Sequence, residues 1–326
     1  MNFTEFSELI AAWRGQNFRD ALSALRGNSD SRALGAVERA LEDLGIAEAT
    51  ISAERFKGLA AREAGNPLAL FSAAFNDTVL GPHDCDRSPV AYAVRWVERH
   101  NDYSNSRALT GYIARALRAM PSFMREEALA SDIRESIAAR GVDAEVVRDP
   151  VEDHKNHTDV LVRVAGRTYR IWTFVFSEQS FNRTAMKLAG ALPAGIHVLC
   201  PLELERYAKL ESSFIALENK RAVVAEMERR CSQLECKATK RQLAKRIASR
   251  QKTIELKLAE HDRLKEAMAG EVRFASGFFF YPLAIADQIA QIVSVSSQSV
   301  EQHSVPRAKV YDLLAYLRAI NAFEVK

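Results

Sequence analysis

The chain reads as an α/β (α+β) protein: a helical N-terminal region, a mixed sheet, and a long antiparallel helical hairpin inserted before the closing elements. Three observations predict this. Apolar residues recur at three- and four-residue spacing through the first 140 positions, as in helices with one buried face. Between 143 and 200 the pattern changes to period two with β-branched residues, which is strand spacing. From Leu202 to Ala269 neither Gly nor Pro occurs, although the 326 residues include 14 Gly and 9 Pro.

The helices of the N-terminal region, residues 1–104, follow in order. Phe3 to Trp13, Phe18 to Leu25, Ser31 to Leu44 and Ala53 to Ala64 each carry the helical repeat and are separated by Gly, Asn and Ser. Asp30 or Ser31 can cap the third, and Gly45 ends it. Leu80 to Arg87 reads as a loop, and Pro89 suits the start of a helix over Val90 to His100. Two further amphipathic helices, Asn105 to Met120 and Ser122 to Arg140, open the α/β core, residues 105–201.

Strands are expected at Asp143 to Arg148, Thr158 to Val164, Thr168 to Phe176 and Ile196 to Cys200. Ala165-Gly166-Arg167 is a short hairpin turn between the second and third. A helix over Phe181 to Leu192 joins the third strand to the fourth, and a crossover of that length calls for parallel pairing. After the arm, Val272 to Tyr281 reads as a buried strand. Helices at Leu283 to Val293 and Pro306 to Ile320 follow, so that 270–326 completes the core. Four aromatic residues in succession, Phe278 to Tyr281, cannot all face one side of a strand, which favours core burial over a stacking platform.

The arm, residues 202–269, would be about 100 Å long as one straight helix. Leu204, Tyr207, Leu210, Phe214, Leu217, Val224, Met227 and Leu234, then Leu243, Ile247, Ile254, Leu258, Leu264 and Met268, recur at roughly heptad spacing. A reversal between Cys231 and Thr239 pairs the halves as a hairpin of about 45 to 50 Å. A continuous helix pairing with a second chain, as a homodimer or with a partner protein, is the alternative. Arg229 to Lys252 holds nine Lys or Arg against one acid, Glu235. A hairpin gathers Lys237, Lys240, Arg241, Lys245, Arg246 and Arg250 at its tip, where they can meet the backbone of DNA or RNA; the bland alternative is a solvated face.

Composition limits the function classes. With 48% hydrophobic residues the chain can build a sizeable core, and a net charge of +3 makes any nucleic-acid signal local. Four cysteines without scaffold spacing, and an N-terminus without a basic, apolar leader, fit a reducing cytoplasm. No apolar run reaches the length of a membrane span. Walker, dinucleotide-binding, nucleophile-elbow and zincin motifs are absent. Asp153, His154, His157 and Asp159 form a ligand-rich segment that an extended or turn backbone does not focus on one point. The pairs His83 with Cys85 and Cys231 with Cys236 lack the further ligands a zinc site needs.

The order of helix, three strands, helix and strand, with an acid on the first helix and Asp159 opening the second strand, resembles the PD-(D/E)xK (restriction-endonuclease-like) fold over residues 122–200. The resemblance implies Glu127 (or Glu126) as the helix acid and Asp159 as the metal-binding carboxylate. It also implies a Glu-x-Lys pair on the third strand, where this chain has Trp172 and Phe174. Glu178, just before the following helix, and Arg183 and Lys187 on it can replace the missing groups; Arg183 and Lys187, at i and i+4, share one face. The resemblance thus implies either a nucleic-acid-binding protein with a catalytically degenerate core and no required cofactor, or a Mg²⁺-dependent nuclease using Glu127, Asp159, Glu178 and Lys187. Such cores with appended arms are common in bacterial antiphage defence, which gives the first reading its setting. A coiled-coil assembly protein that binds no nucleic acid is the third reading.

Overall fold

The computed structural model describes residues 1–48, 50–51, 56, 58–59, 68–82, 85–100, 106–156, 158–175, 184, 186–188, 190, 192–295 and 321–325. Helix α1 (Phe3–Trp13) opens with a reciprocal cap: the Asn2 side chain accepts from the Glu5 N–H at 3.0 Å, and the Glu5 carboxylate accepts from the Asn2 N–H at 2.8 Å. Helices α2 (Phe18–Leu25) and α3 (Ser31–Asp43) follow, with Asp30 capping α3 through the Arg32 N–H at 2.7 Å. Helix α4 (Leu68–Thr78) precedes the expected α5 (Pro89–His100) and was not expected from the sequence. The helix expected at Ala53 to Ala64 falls largely outside the described residues.

One expectation fails at Pro121. The sequence suggests two helices meeting there, because proline removes an N–H and crowds the preceding turn. The chain instead forms a single helix, α6 (Ser106–Ala138), with Pro121 inside it. Leu117, Met120, Phe123 and Met124 around the proline are buried, so packing on both sides holds the helix together. Up to Ala128, α6 packs into a helical core with α1, α2, α3, α4 and α5; from Leu129 onward it packs on the sheet.

That sheet contains β1 (Glu145–Val147), β2 (Val160–Val164), β3 (Arg167–Val175), β4 (Gly195–Leu202) and the C-terminal strand Asn321–Val325, in that spatial order. β1, β2 and β3 are antiparallel, β3 and β4 parallel as the crossover requires, and the C-terminal strand pairs antiparallel with β4. The β2–β3 turn holds Ala165 at φ 47° and Gly166 at φ 74°, the two left-handed residues of a tight hairpin. The segment carrying Asp153 and His154 is not extended but helical, α7 (Pro150–Asn156). Asp149 begins it by accepting from the N–H of Val151 at 2.8 Å and of Glu152 at 3.3 Å, with Pro150 in the first turn. Of the expected helix at Phe181 to Leu192, Thr184 and residues 186–188 are described and helical.

A 3₁₀ turn (Leu204–Tyr207) leads into α8 (Ala208–Gln233), which reverses through residues 234–236 into α9 (Lys237–Ala267). The reversal lies where the heptad reading put it, and α9 is about 46 Å long at the usual rise. Leu210, Phe214, Leu217 and Val224 of α8 and Ile247 and His261 of α9 are buried along the seam.

The expected single strand at Val272 to Tyr281 is a two-stranded hairpin, β5 (Arg273–Ala275) and β6 (Phe278–Phe280), separate from the main sheet. Ser276 at φ 44° and Gly277 at φ 90° turn it. Its aromatic block is buried by alternation. Phe278 and Phe280 enter the helical core, and Phe279 and Tyr281 the sheet core. Helix α10 (Leu283–Val295) then packs on α6, and the C-terminal strand, now β7 (Asn321–Val325), ends the described chain. The helix expected at Pro306 to Ile320 lies outside the described residues. Among the described residues no helix is long and apolar enough to cross a membrane.

Candidate functional site

The end of the sheet where β2 and β3 open gathers the polar groups. Asp159 precedes β2, and its N–H donates to Ile171 O at 3.0 Å, extending the ladder by one bond. Its Oδ2 accepts from the Thr173 backbone N–H at 2.5 Å and from the Thr173 hydroxyl at 3.0 Å. Burial pushes the Asp159 carboxyl up to about 7, and the Asp153 carboxylate adds to the rise; the Thr173 bonds and the Lys187 charge oppose it.

Glu126 reaches the same end from α6. It is buried and pairs with Arg148, the residue after β1, at 2.8 Å. Burial raises the Glu126 carboxyl well above its ordinary range against the pull of Arg148, and Asp159 and Asp153 raise it further. Arg148 lies over the Phe123 ring at 5.6 Å, and Tyr281 donates to Cys200 O at 3.3 Å. Three carboxylates from three elements therefore share one electrostatic environment, in which protonation near neutral pH relieves their repulsion.

The helix acid of this cluster is Glu126, not Glu127. Glu127 binds the Met1 amino group at 3.3 Å and stands 4.0 Å from Arg148. The third-strand frame also shifts by one residue. Side chains alternate along β3, so Thr173 shares the α6 side with Tyr169 and Ile171 of the sheet core. Trp172 and Phe174 face away, Trp172 edge-on to His197 at 5.6 Å. The positions beside Asp159 are thus Thr173 and Val175, and neither is an acid or a lysine.

Lys187 is exposed and lines an open cavity of 320 Å³ with Lys155, Asn156 and Pro193. Its charge reaches Asp159, as noted. Glu178 and Arg183 lie outside the described residues, as do His83, His157 and the side chain of His154. Among the described residues no group of three or more His, Cys, Asp or Glu is arranged to hold a metal ion. For Asp159 as a metal ligand, the observed partners are the two Thr173 donors, which occupy Oδ2.

The second candidate surface is the arm tip. Arg229 and Arg230 both pair with Glu226, at 2.8 and 2.7 Å. Lys237, Lys240, Arg241, Lys245, Arg246 and Arg250 are exposed, and among the described residues none of them forms an ion pair. The root of the arm is fixed to the body: Arg14 of the chain after α1 pairs with Glu218 and lies over the Phe214 ring at 5.6 Å. Tyr207 donates to Glu271 O at 3.2 Å.

Sequence reasoning missed Thr173 and Arg148. The alternation of β3 carries the signal for Thr173, once the strand is framed on Tyr169 and Ile171 rather than on Trp172. Arg148 follows a strand directly and meets an acid 22 positions earlier, a pairing with no local pattern. Comparison of the chain with family models, curated proteins and solved structures gives no match.

Proposed function

We propose that this protein binds nucleic acid through the basic tip of its helical arm, with a nuclease-like α/β core whose catalytic strand lacks the Glu-x-Lys pair. The observation that carries the reading is the set of six exposed Lys and Arg residues running from the reversal along the first half of α9, without ion pairs among the described residues. Such a surface attracts phosphates without reading sequence, so binding falls steeply with salt and shows little preference among oligonucleotides. A role in bacterial antiphage defence extends this reading by analogy with nuclease-like cores that carry arms.

The test is fluorescence anisotropy with labelled single- and double-stranded DNA and RNA. Neutralising Lys240, Arg241, Lys245 and Arg246 together is expected to abolish measurable binding at moderate salt. Unchanged affinity in that variant would sink the proposal.

A second reading, a Mg²⁺-dependent nuclease, draws on one observation: the charges of Glu126, Asp153 and Asp159 act on one another and that of Lys187 acts on Asp159, although among the described residues no three acids are grouped to hold a metal ion. Cleavage of linear or circular DNA with Mg²⁺ or Mn²⁺, lost in Asp159→Ala, would support it. Absence of cleavage, or cleavage retained in that variant, would leave the binding role alone.

A further inference from the structure

From Lys237 to Lys252 the first half of α9 carries seven Lys or Arg and no acid. The end of α8 beside it is different: Arg229 and Arg230 share Glu226, and Glu228 accepts from Gln251 at 2.9 Å. The unbalanced charge near the reversal is therefore concentrated on one of the two helices.

The helical repeat sorts these cations onto faces. Leu243, Ile247, Ile254, Leu258 and His261 form the side of α9 toward α8, with Ile247 and His261 buried and the other three half-buried. Lys237 and Arg241 fall on one flank of that side, and Arg246 and Arg250 on the other; within each pair the residues are one turn, about 6 Å, apart. Lys245 and Lys252 point away from α8, with Ala238, Gln242 and Ser249 around them. All nine of these residues are exposed.

Two cationic flanks on opposite sides of one helix match two phosphate rims. A helix with its side chains is about 10 to 12 Å across, and the major groove of B-DNA is about 12 Å wide and admits it. The major groove of an RNA duplex is too deep and narrow to do so. Single strands are held without sequence preference by stacking their bases on aromatic rings, and from Ile215 to Arg273 the chain has no Phe, Tyr or Trp. Lys237 to Lys252 spans about 22 Å, less than one helical repeat of about 34 Å, so a straight helix stays within one passage of the groove.

We propose that the first half of α9 lies lengthwise in the major groove of duplex DNA, with Lys237 and Arg241 on the phosphates of one strand and Arg246 and Arg250 on those of the other. The proposal rests on the arm being a nucleic-acid surface, and it narrows the partner to B-form duplex. α8 stays outside the groove, on the far side of α9.

Fluorescence anisotropy of the full chain at one fixed salt concentration tests it, with a DNA duplex of about 20 base pairs, its separate strands and an RNA duplex of the same sequence. The DNA duplex is expected to bind at least about tenfold tighter than either alternative. Methyl green, which occupies the major groove, displaces the protein, and distamycin, which occupies the minor groove, does not. Lys237→Ala with Arg241→Ala, and separately Arg246→Ala with Arg250→Ala, each weaken duplex binding and lower the slope of log affinity against log salt by roughly 2. Equal affinity for single strands or the RNA duplex, displacement by distamycin but not methyl green, or wild-type binding by either flank variant would overturn the groove placement while leaving the arm as a nucleic-acid surface. Binding to none of the probes would remove both.

Discussion

Thr173 binds Asp159 twice, through its backbone N–H and its hydroxyl, and both bonds end on the same carboxylate oxygen. That pair joins the last turn before β2 to the end of β3 and holds a half-buried acid where the sheet opens.

The Asp159 carboxyl gives the first prediction. Its folded value near 7 lies above the ordinary value of 3.8, chiefly through burial. A group raised on folding stabilises most below its unfolded pKa, and that contribution disappears as pH rises through the folded one. Wild type should therefore lose stability between about pH 4 and pH 7 from this group. Asp159→Asn keeps an acceptor for Thr173 and removes the titration. Chemical denaturation at pH 5 and pH 8 should show a smaller pH difference in the variant; an identical difference would show that the carboxyl is not buried in this way.

Arg148 and Glu126 give the second. Both side chains are close to fully buried, and they pair at 2.8 Å. Removing Glu126 leaves the buried Arg148 guanidinium without its closest partner, a loss of about 3 to 5 kcal/mol, whereas replacing both restores much of it. Glu126→Leu alone should be more destabilised than Glu126→Leu with Arg148→Met. A double variant as unstable as the sum of the single ones would show that the two groups do not act as a pair.

Much of this architecture can be read from the residues. The cap of α3, the Ala165-Gly166 turn, the parallel crossover and the arm's reversal all follow from local pattern, because each depends on neighbours a few positions apart. The unbroken α6 does not, since Pro121 is overridden by burial on both sides of it. β7 escapes for a related reason: Asn321 to Val325 is too short to declare a strand and is fixed by pairing with β4, more than a hundred positions away. The site was half legible. Asp159 opens a strand visibly, but the choice of Glu126 over Glu127 depends on which helix face meets Arg148, and the place of Thr173 depends on strand phase.

The aromatic block gives the third prediction. Phe279 packs on Tyr207 at 5.7 Å and Phe274 at 4.7 Å in the sheet core, while Phe280 meets Phe3 at 5.1 Å and Phe6 at 6.1 Å in the helical core. Adjacent residues thus serve different cores, and Phe279→Ala or Phe280→Ala should each cost about 3 to 5 kcal/mol in urea denaturation. Hydrogen exchange should distinguish them, with protection falling first in β2 to β4 for Phe279→Ala and first in α1 for Phe280→Ala. The same pattern in both variants would mean that the hairpin does not separate the cores.

At the root of the arm, His261 of α9 is buried beside Phe214 and Phe274, with ring centroids 5.9 and 5.7 Å away, and its Nδ1 lies 2.8 Å from the Ser213 hydroxyl. Ser213 donates to Leu210 O at 2.8 Å, so the neutral imidazole carries its proton on Nδ1 and donates it to the serine oxygen. Burial lowers the His261 pKa; Asp262 opposes this, and Lys265, Arg14 and Arg221 add to it. A histidine lowered on folding contributes stability above its unfolded pKa, and that stability is lost as pH falls below about 6.5. Acidification should therefore loosen the α8–α9 root before the sheet, and amide exchange at residues 210–217 should quicken between pH 7 and pH 5 after correction for the intrinsic rate. His261→Phe keeps the aromatic contacts and removes the charge, so its exchange should lose that dependence. If the variant keeps it, another group controls the root.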